Sequence, residues 1–134
     1  MSQTADIDPA EAAAAAAAPT AEAATSSTPS VNPNQRIVWI DCEMTGLDLQ
    51  RDALVEIACV VTEADLTLVD DGVSVVIKPP DEPFAAMDPF VVDMHTQSGL
   101  IEEIPVGTTL DDATDQILAY VQQHVPEPRK APLG

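Results

Sequence analysis

The clearest pattern in the chain is an apolar run at residues 37–40 that leads into two alternating acidic residues, Asp41 and Glu43. A continuous apolar run is typical of a strand buried on both faces. Successive side chains of a strand point to opposite faces, so Asp41 and Glu43 should project together while Cys42 points the other way. Residues 45–47 contain a glycine and should end this strand.

Two more apolar stretches predict that the first strand belongs to an antiparallel meander. Residues 53–62 predict a second strand, and residues 67–77, which alternate less cleanly, predict a third. Polar residues at 63–65 and 70–72 supply the turns, and the second of these could form a bulge. Prolines in residues 78–83 should end the sheet, because proline cannot donate to a ladder.

A helical period follows the strands. Residues 92–104 predict a helix interrupted near Gly99, and residues 109–124 predict a clearer one with a single apolar stripe. Thr109 is the expected N-cap, and His124 should complement the dipole at the C-terminal end. Strands followed by a crossover helix begin an α/β layer, whose next strand should return parallel to the first. We expect that strand and the later elements to be missing, because the chain supplies at most residues 130–133 for it.

Composition separates a tail from one domain. Residues 1–35 are rich in Ala, Pro, Ser and Thr without Lys or Arg, so they predict a disordered tail, and residues 36–134 form the domain. No apolar stretch approaches the roughly 18–20 residues of a membrane span. The tail lacks the basic start of a secretory signal and the arginines of an organellar presequence. We therefore expect a cytoplasmic protein.

The charge balance limits the possible partners. Residues 36–134 hold 19 acidic and five basic residues within a chain of net charge −18. Long-range attraction for a polyanion is absent, which disfavours long RNA and duplex DNA and fits a short fragment bound through metal ions and stacking. An acidic interaction module with no nucleic-acid partner fits equally well. Cys42 and Cys59 should be reduced, and no Cys or His pair has zinc-ligand spacing.

Asp41 and Glu43 are the candidate catalytic and metal-binding residues. Two hard oxygen donors on one face suit Mg²⁺ or Mn²⁺, and two such ions about 3.5–4 Å apart can activate a water and stabilise a leaving oxygen. The alternative for a bare Asp-x-Glu is the solvated face of an edge strand. The apolar strand before it favours the metal site, because a carboxylate there needs a partner. Glu56 is a candidate helper residue, or else an ion-pair partner of Arg51 or Arg36.

Three segments together resemble the oligoribonucleases, a branch of the DnaQ-like (DEDDh) 3′-to-5′ exonucleases. They are residues 39–47, 56–58 and 95–100, with the letters WIDCEMTGL, EIA and HTQSGL. The resemblance covers residues 36–134 and implies a ribonuclease H-like α/β fold. It also implies a homodimeric, Mg²⁺- or Mn²⁺-dependent enzyme that degrades very short oligoribonucleotides, dinucleotides included, by two-metal-ion hydrolysis.

The resemblance assigns roles by position. Asp41 and Glu43 match the first two metal ligands, and Leu47 matches an apolar wedge against the terminal bases. Phe90 stands where the family has a tryptophan, and His95 matches a histidine that binds near the phosphate and is not the catalytic base. Without the resemblance, a lone helical histidine is more often structural. The implied substrate-binding residues are Met44, Thr45, Gly46, Leu47, Phe90 and His95.

Other family motifs have no match in the chain. The next metal-binding acid, in a Gly-Asn-Ser motif, and the general-base histidine with the last aspartate are absent, and His124 lacks the acid-bearing context of that base. The resemblance therefore implies the N-terminal part of an oligoribonuclease, with two of four metal carboxylates and no general base. Three functions remain open: an exoribonuclease, an inactive remnant, and an acidic interaction module. We also expect residues 36–134 to fold marginally and to expose an edge that pairs with another chain.

Overall fold

A three-stranded antiparallel sheet forms the centre of the computed structural model, which describes residues 32 and 35–134. Its strands are β1 (Ile37–Met44), β2 (Leu54–Thr62) and β3 (Val73–Val76), in the order β1-β2-β3. The predicted meander is confirmed. The expected tail lies outside the described residues except at positions 32 and 35.

The third strand is shorter than the predicted 67–77 range. Leu68 makes one isolated bridge to Thr62, and the chain then turns before β3 begins. Asp70 accepts a hydrogen bond from the Gly72 N–H (2.9 Å), and Gly72 has φ of 79°, a conformation that glycine adopts without strain. This turn separates the bridge from the regular ladder.

In the described residues, the α-helices all follow β3. They are α1 (Asp81–Ala85), α2 (Pro89–Ser98), α3 (Leu100–Glu103) and α4 (Leu110–His124), with a 3₁₀ turn at Ile104–Val106. The predicted break is confirmed at Gly99, whose φ of 82° ends α2. Helix α2 begins three residues before the predicted start, because Asp88 caps it by accepting from the Phe90 N–H.

Helix α1 was missing from the sequence-based prediction. Its segment contains Pro79, Pro80 and Pro83, which we interpreted only as the end of the sheet. Pro83 lies in the first turn of α1. The backbone N–H groups of a first turn have no acceptor within the helix, so a proline, which lacks this N–H, is tolerated there. The prolines therefore end the sheet and begin a helix.

Helix α4 covers one face of the sheet and has nearly the predicted bounds. Thr109 accepts a hydrogen bond from the Asp112 N–H (3.1 Å), which confirms it as the N-cap. At the other end, the guanidinium of Arg36 donates to the His124 carbonyl (2.8 Å) and satisfies one of the last carbonyl groups. The main core lies between α4 and the sheet and contains Val38, Cys59, Val61, Val75, Ile77, Ala113, Ile117 and Val125.

A second, smaller core lies near the end of β1. Val55, Leu100 and Ile104 are its buried members, with Phe84 packed against them. Val55 is the extra residue of a bulge, because the β1–β2 register shifts between Glu43 and Met44. The bulge therefore lies beside the acidic end of β1, where α3 packs.

The final residues run beside β1 at one point. Val38 donates to the Pro132 carbonyl (3.0 Å), Gly134 donates to the Val38 carbonyl (2.8 Å), and Leu133 forms a parallel bridge with Val38. The described residues supply the parallel return at this position only, as one isolated bridge and not as a strand.

The expectation that β1 is buried on both faces is wrong for two of its residues. Trp39 is 39% exposed and Ile40 is 42% exposed. Beyond Val38, no other described segment pairs with this edge, and a groove of about 550 Å³ stays open beside Ile40 and α4. Within the described part of the chain, no helix is long and apolar enough to cross a membrane.

Candidate metal and nucleotide site

The two predicted metal ligands lie at the solvent-facing end of β1. Alternation along the strand puts Asp41 and Glu43 on one face and Cys42 on the other, as predicted. The Asp41 carboxylate is exposed and accepts one hydrogen bond, from the Cys42 N–H (3.0 Å). Glu43 is half-buried, and its carboxylate has no hydrogen bond or ion pair with the described residues. Both carboxylates therefore keep oxygens available to a cation.

This pair of carboxylates fits one hard divalent ion. Mg²⁺ is commonly bound by one or two carboxylates, with waters and substrate phosphates completing its six oxygens. Across residues 32 and 35–134, however, no group of three or more His, Cys, Asp or Glu side chains could hold a metal. A second ion would have only the same two carboxylates as ligands in this part of the chain.

Glu56, the predicted helper residue, lies directly opposite Glu43 in the β1–β2 register. Its carboxylate accepts a hydrogen bond from the Ser74 hydroxyl on β3. The alternative of an ion pair with Arg51 or Arg36 is wrong, because both arginines pair with other carboxylates. The helper role of Glu56 stays a prediction.

The turn after Glu43 is fixed by a buried threonine. Thr45 donates its N–H to the Ala53 carbonyl (2.9 Å), and its hydroxyl accepts from the Ala53 N–H (3.0 Å). The same hydroxyl donates to the Asp52 carboxylate (3.2 Å). Gly46 lies so close to that carboxylate that a Cβ would overlap it. A strand end held in this way has little freedom to rotate.

Asp52 is a residue that the sequence analysis missed. The Asp48 N–H donates to its carboxylate (2.9 Å) and lowers the pKa of Asp52, and the Arg51 guanidinium and Thr45 hydroxyl lower that pKa further. The available signal was the pair Asp48 and Asp52 in a short connection, since Asp side chains often accept backbone amides in turns. Asp52 is therefore a polar centre of the loop and not a solvated loop residue.

His95 lies beneath the end of β1. Its side chain is 1% exposed, and Nε2 is 2.9 Å from the Met44 carbonyl, to which it donates. This environment resembles the structural alternative for a lone histidine. Contact between His95 and a phosphate stays a prediction.

Three apolar side chains around the site face solvent. Leu47 is 88% exposed and Phe90, in the first turn of α2, is 74% exposed. Leu49 is fully exposed and was not singled out from the sequence. The loop that carries both leucines lines a small cavity of about 190 Å³ with Met44. Apolar surface on the loop that directly follows a carboxylate pair suits a ligand that has both bases and phosphates.

The matched family defines the class of protein. The exonuclease family model RNase_T matches residues 38–132, which include α4 and all of the sheet except Ile37. The chain therefore belongs to this exonuclease family, and the predicted α/β fold of the ribonuclease H-like type is confirmed.

Curated relatives narrow the class to one branch. The chain is 56% identical over 100 residues to the oligoribonuclease of Streptomyces griseus, covering 75% of this chain and 50% of that protein. The corresponding protein of Leifsonia xyli is 55% identical over 101 residues, covering 75% and 49%. That of Cutibacterium acnes is 50% identical over 98 residues, covering 73% and 48%. The predicted resemblance is confirmed, and the chain spans about half the length of the curated relatives it matches.

Proposed function

We propose that this chain acts as a 3′-to-5′ exoribonuclease on short oligoribonucleotides. The observation that carries the proposal is the end of β1, where Asp41 and Glu43 share one face with carboxylate oxygens available. The family match and the oligoribonuclease name of its relatives support the same reaction class. We propose further that residues 36–134 are a portion of an exonuclease domain.

Asp41 and Glu43 would hold the divalent ion, Mg²⁺ or Mn²⁺. When bound, such an ion would supply an activated water and stabilise negative charge on the phosphate. Leu47 would pack against a terminal base and Phe90 would stack beside it, because both expose apolar surface. We assign no general base in this chain, since His95 donates to a backbone carbonyl.

Substrate length follows from charge. The described domain is strongly acidic, so a polyanion gains no long-range attraction, and phosphate binding depends on the metal. Short fragments are therefore favoured over long RNA. The homodimer implied by the resemblance stays a prediction. Cys42 and Cys59 are free thiols, and the cytoplasmic location stays a prediction.

A second candidate is an inactive protein that binds metal or dinucleotide without turnover. The absence of a third metal-binding side chain in the described residues favours it. Both candidates use the same two carboxylates, so one experiment separates them.

The experiment mixes the purified chain with a labelled diribonucleotide and Mn²⁺, with and without EDTA. Mononucleotide release that disappears with EDTA and in Asp41→Asn and Glu43→Gln supports the exoribonuclease. Asp65→Asn, a change of the same chemistry in the β2–β3 connection, is the matched control and should leave release unchanged. Binding without release supports the inactive protein, and neither signal supports the acidic interaction module.

A further inference from the structure

Residues 44–46 are the last residue of β1 and the two residues after it, and they connect the strand that carries Asp41 and Glu43 to the exposed Leu47. The path of this segment decides where Leu47 lies relative to Asp41 and Glu43. Two buried polar side chains from different elements hold this segment from two sides, and neither belongs to the acid pair.

One hold comes from α2. The buried imidazole of His95 donates from Nε2 to the Met44 carbonyl at 2.9 Å, across 51 positions of sequence. Helix α2 is itself fixed at its start by the Asp88 cap and at its end by Gly99. The Met44 carbonyl is therefore tied to a helix and not only to the neighbouring strand.

The other hold comes from the loop before β2. The Asp52 side chain is 3% exposed, and its carboxylate accepts from the Thr45 hydroxyl (3.2 Å) and the Asp48 N–H (2.9 Å). The carboxylate also fills the space beside Gly46 that a Cβ would occupy. One side chain thus fixes both the strand end at Thr45 and the loop at Asp48, on either side of Leu47.

We propose that His95 and Asp52 are positioning residues that clamp residues 44–46 and so fix Leu47 relative to the Asp41–Glu43 pair. The proposal rests on the proposed function and deepens it. A fixed distance between the bound metal ion and Leu47 determines where the terminal base lies when the phosphate of the same nucleotide is bound to the metal. Misplacement by about 1 Å can reduce a reaction rate by about a hundredfold. In this role His95 acts through a backbone carbonyl.

The first test uses backbone amide hydrogen exchange in the whole chain and needs no ligand. Asp52→Ala should speed exchange at the Asp48 amide by about five- to tenfold, the effect of losing its one hydrogen bond to the carboxylate. Exchange at the Thr45 amide should also rise, because the Thr45 hydroxyl loses its acceptor and the strand end is held less firmly. Asp65→Ala removes a similar loop carboxylate that accepts from the Thr67 N–H, so it should leave those amides unchanged. Equal rates in wild type and Asp52→Ala would overturn the clamp.

Conservative variants separate the clamp from general packing. His95→Gln keeps an N–H donor near the Met44 carbonyl, whereas His95→Phe keeps ring volume and loses the donor. The clamp predicts exchange at residues 44–47 close to wild type in the first and faster exchange in the second. Asp52→Asn should fall between wild type and Asp52→Ala, because an amide keeps one acceptor. The same exchange in both His95 variants would refute the role of the donor.

The second test separates metal binding from substrate placement. Calorimetry should show that Asp52→Ala binds Mn²⁺ with an affinity within about twofold of wild type. Its affinity for a diribonucleotide in the presence of Mn²⁺ should fall about tenfold, which corresponds to about 1.4 kcal/mol of binding free energy. Equal losses of both affinities would contradict a placement role. If wild type itself binds neither ligand, the proposed function fails, while the exchange rates still decide the clamp.

Discussion

Glu43 on β1 lies directly opposite Glu56 on β2, in the last regular pair before the bulge at Val55. Directly opposed like charges on a sheet are destabilising. Glu56 is turned toward the Ser74 hydroxyl, while the Glu43 carboxylate has no partner among the described residues. The pair therefore weakens the metal-free protein, and a cation bound at Glu43 would relieve the repulsion.

Neutralising Glu56 should stabilise the protein without metal. We expect Glu56→Gln to raise the free energy of unfolding by about 0.2–1 kcal/mol, because the amide oxygen can still accept from Ser74 while the like charge is lost. Urea unfolding in EDTA measures the change. Glu127→Gln, an exposed residue beyond α4, is the control and should have no measurable effect. An equal gain in the control would attribute the effect to net charge.

The N-cap of α4 can be tested with two threonines of the same helix. Thr109→Ala should cost about 1 kcal/mol of unfolding free energy, because the Asp112 N–H loses its acceptor. Thr114→Ala should be neutral or slightly stabilising, since Thr114 donates to the Leu110 carbonyl inside the helix and alanine has the higher helix propensity. Thermal melts compare the two. An equal loss of unfolding free energy in both variants would mean that the hydrogen bond of the N-cap does not stabilise the helix.

Local signals in the sequence were enough for the regular elements. The apolar runs predicted all three strands of the sheet, and Thr109 marked the start of α4 because capping depends on neighbours three residues away. The helix at Asp81–Ala85 was missed because its prolines favour both a strand end and a first helical turn. The sequence alone did not show whether these prolines only end a strand or also begin a helix.

The site was predictable only where its residues are adjacent in the chain. Asp41 and Glu43 share a face because side chains alternate along a strand, so their spacing of two residues was enough to predict it. Asp52 and His95 reach the same strand end from a loop and from α2, and only the packing of those elements brings them there. Exposure at Trp39 could not be predicted either, since it depends on what lies beside β1.

A polar cluster joins α4 to the β2–β3 connection, away from the candidate site. The Asp70 carboxylate accepts from the Tyr120 hydroxyl (2.6 Å), and its other oxygen lies 2.8 Å from Nε2 of His124. Burial and the hydrogen bond to Asp70 raise the pKa of Tyr120 to about 12. The Tyr120 hydroxyl and the Gly72 N–H lower the pKa of Asp70. His124 is thus more than a dipole-compensating residue.

These pKa shifts predict that the free energy of unfolding decreases both at alkaline pH, because of Tyr120, and at acidic pH, because of Asp70. The raised pKa of Tyr120 gives stabilisation that is complete below pH 10 and is lost as pH rises toward about 12. The lowered pKa of Asp70 gives stabilisation present above the ordinary value of 3.8 and lost as pH falls through the folded value. In Tyr120→Phe, the unfolding free energy should fall less steeply at both extremes. Urea unfolding at neutral, acidic and alkaline pH tests this, and parallel curves would contradict it.

We predict that the open edge of β1 is an association surface. Ile40 and Leu118 line the groove of about 550 Å³, and both are roughly half-exposed. Unpaired backbone groups beside apolar side chains favour pairing with another chain. The sheet therefore has a surface that monomeric proteins usually cover or charge.

Placing a lysine on that edge should reduce association. Ile40→Lys should lower the sedimentation-velocity fraction of oligomers at high protein concentration, because a charged side chain on an edge strand opposes strand pairing. Leu66→Lys is the control, since Leu66 is also exposed but lies in the β2–β3 connection, away from the groove. The surface is assigned wrongly if both lysines reduce oligomers equally, or if wild type stays monomeric throughout. Because Ile40 is already 42% exposed, the change should leave the melting temperature nearly unaltered, which separates lost association from lost folding.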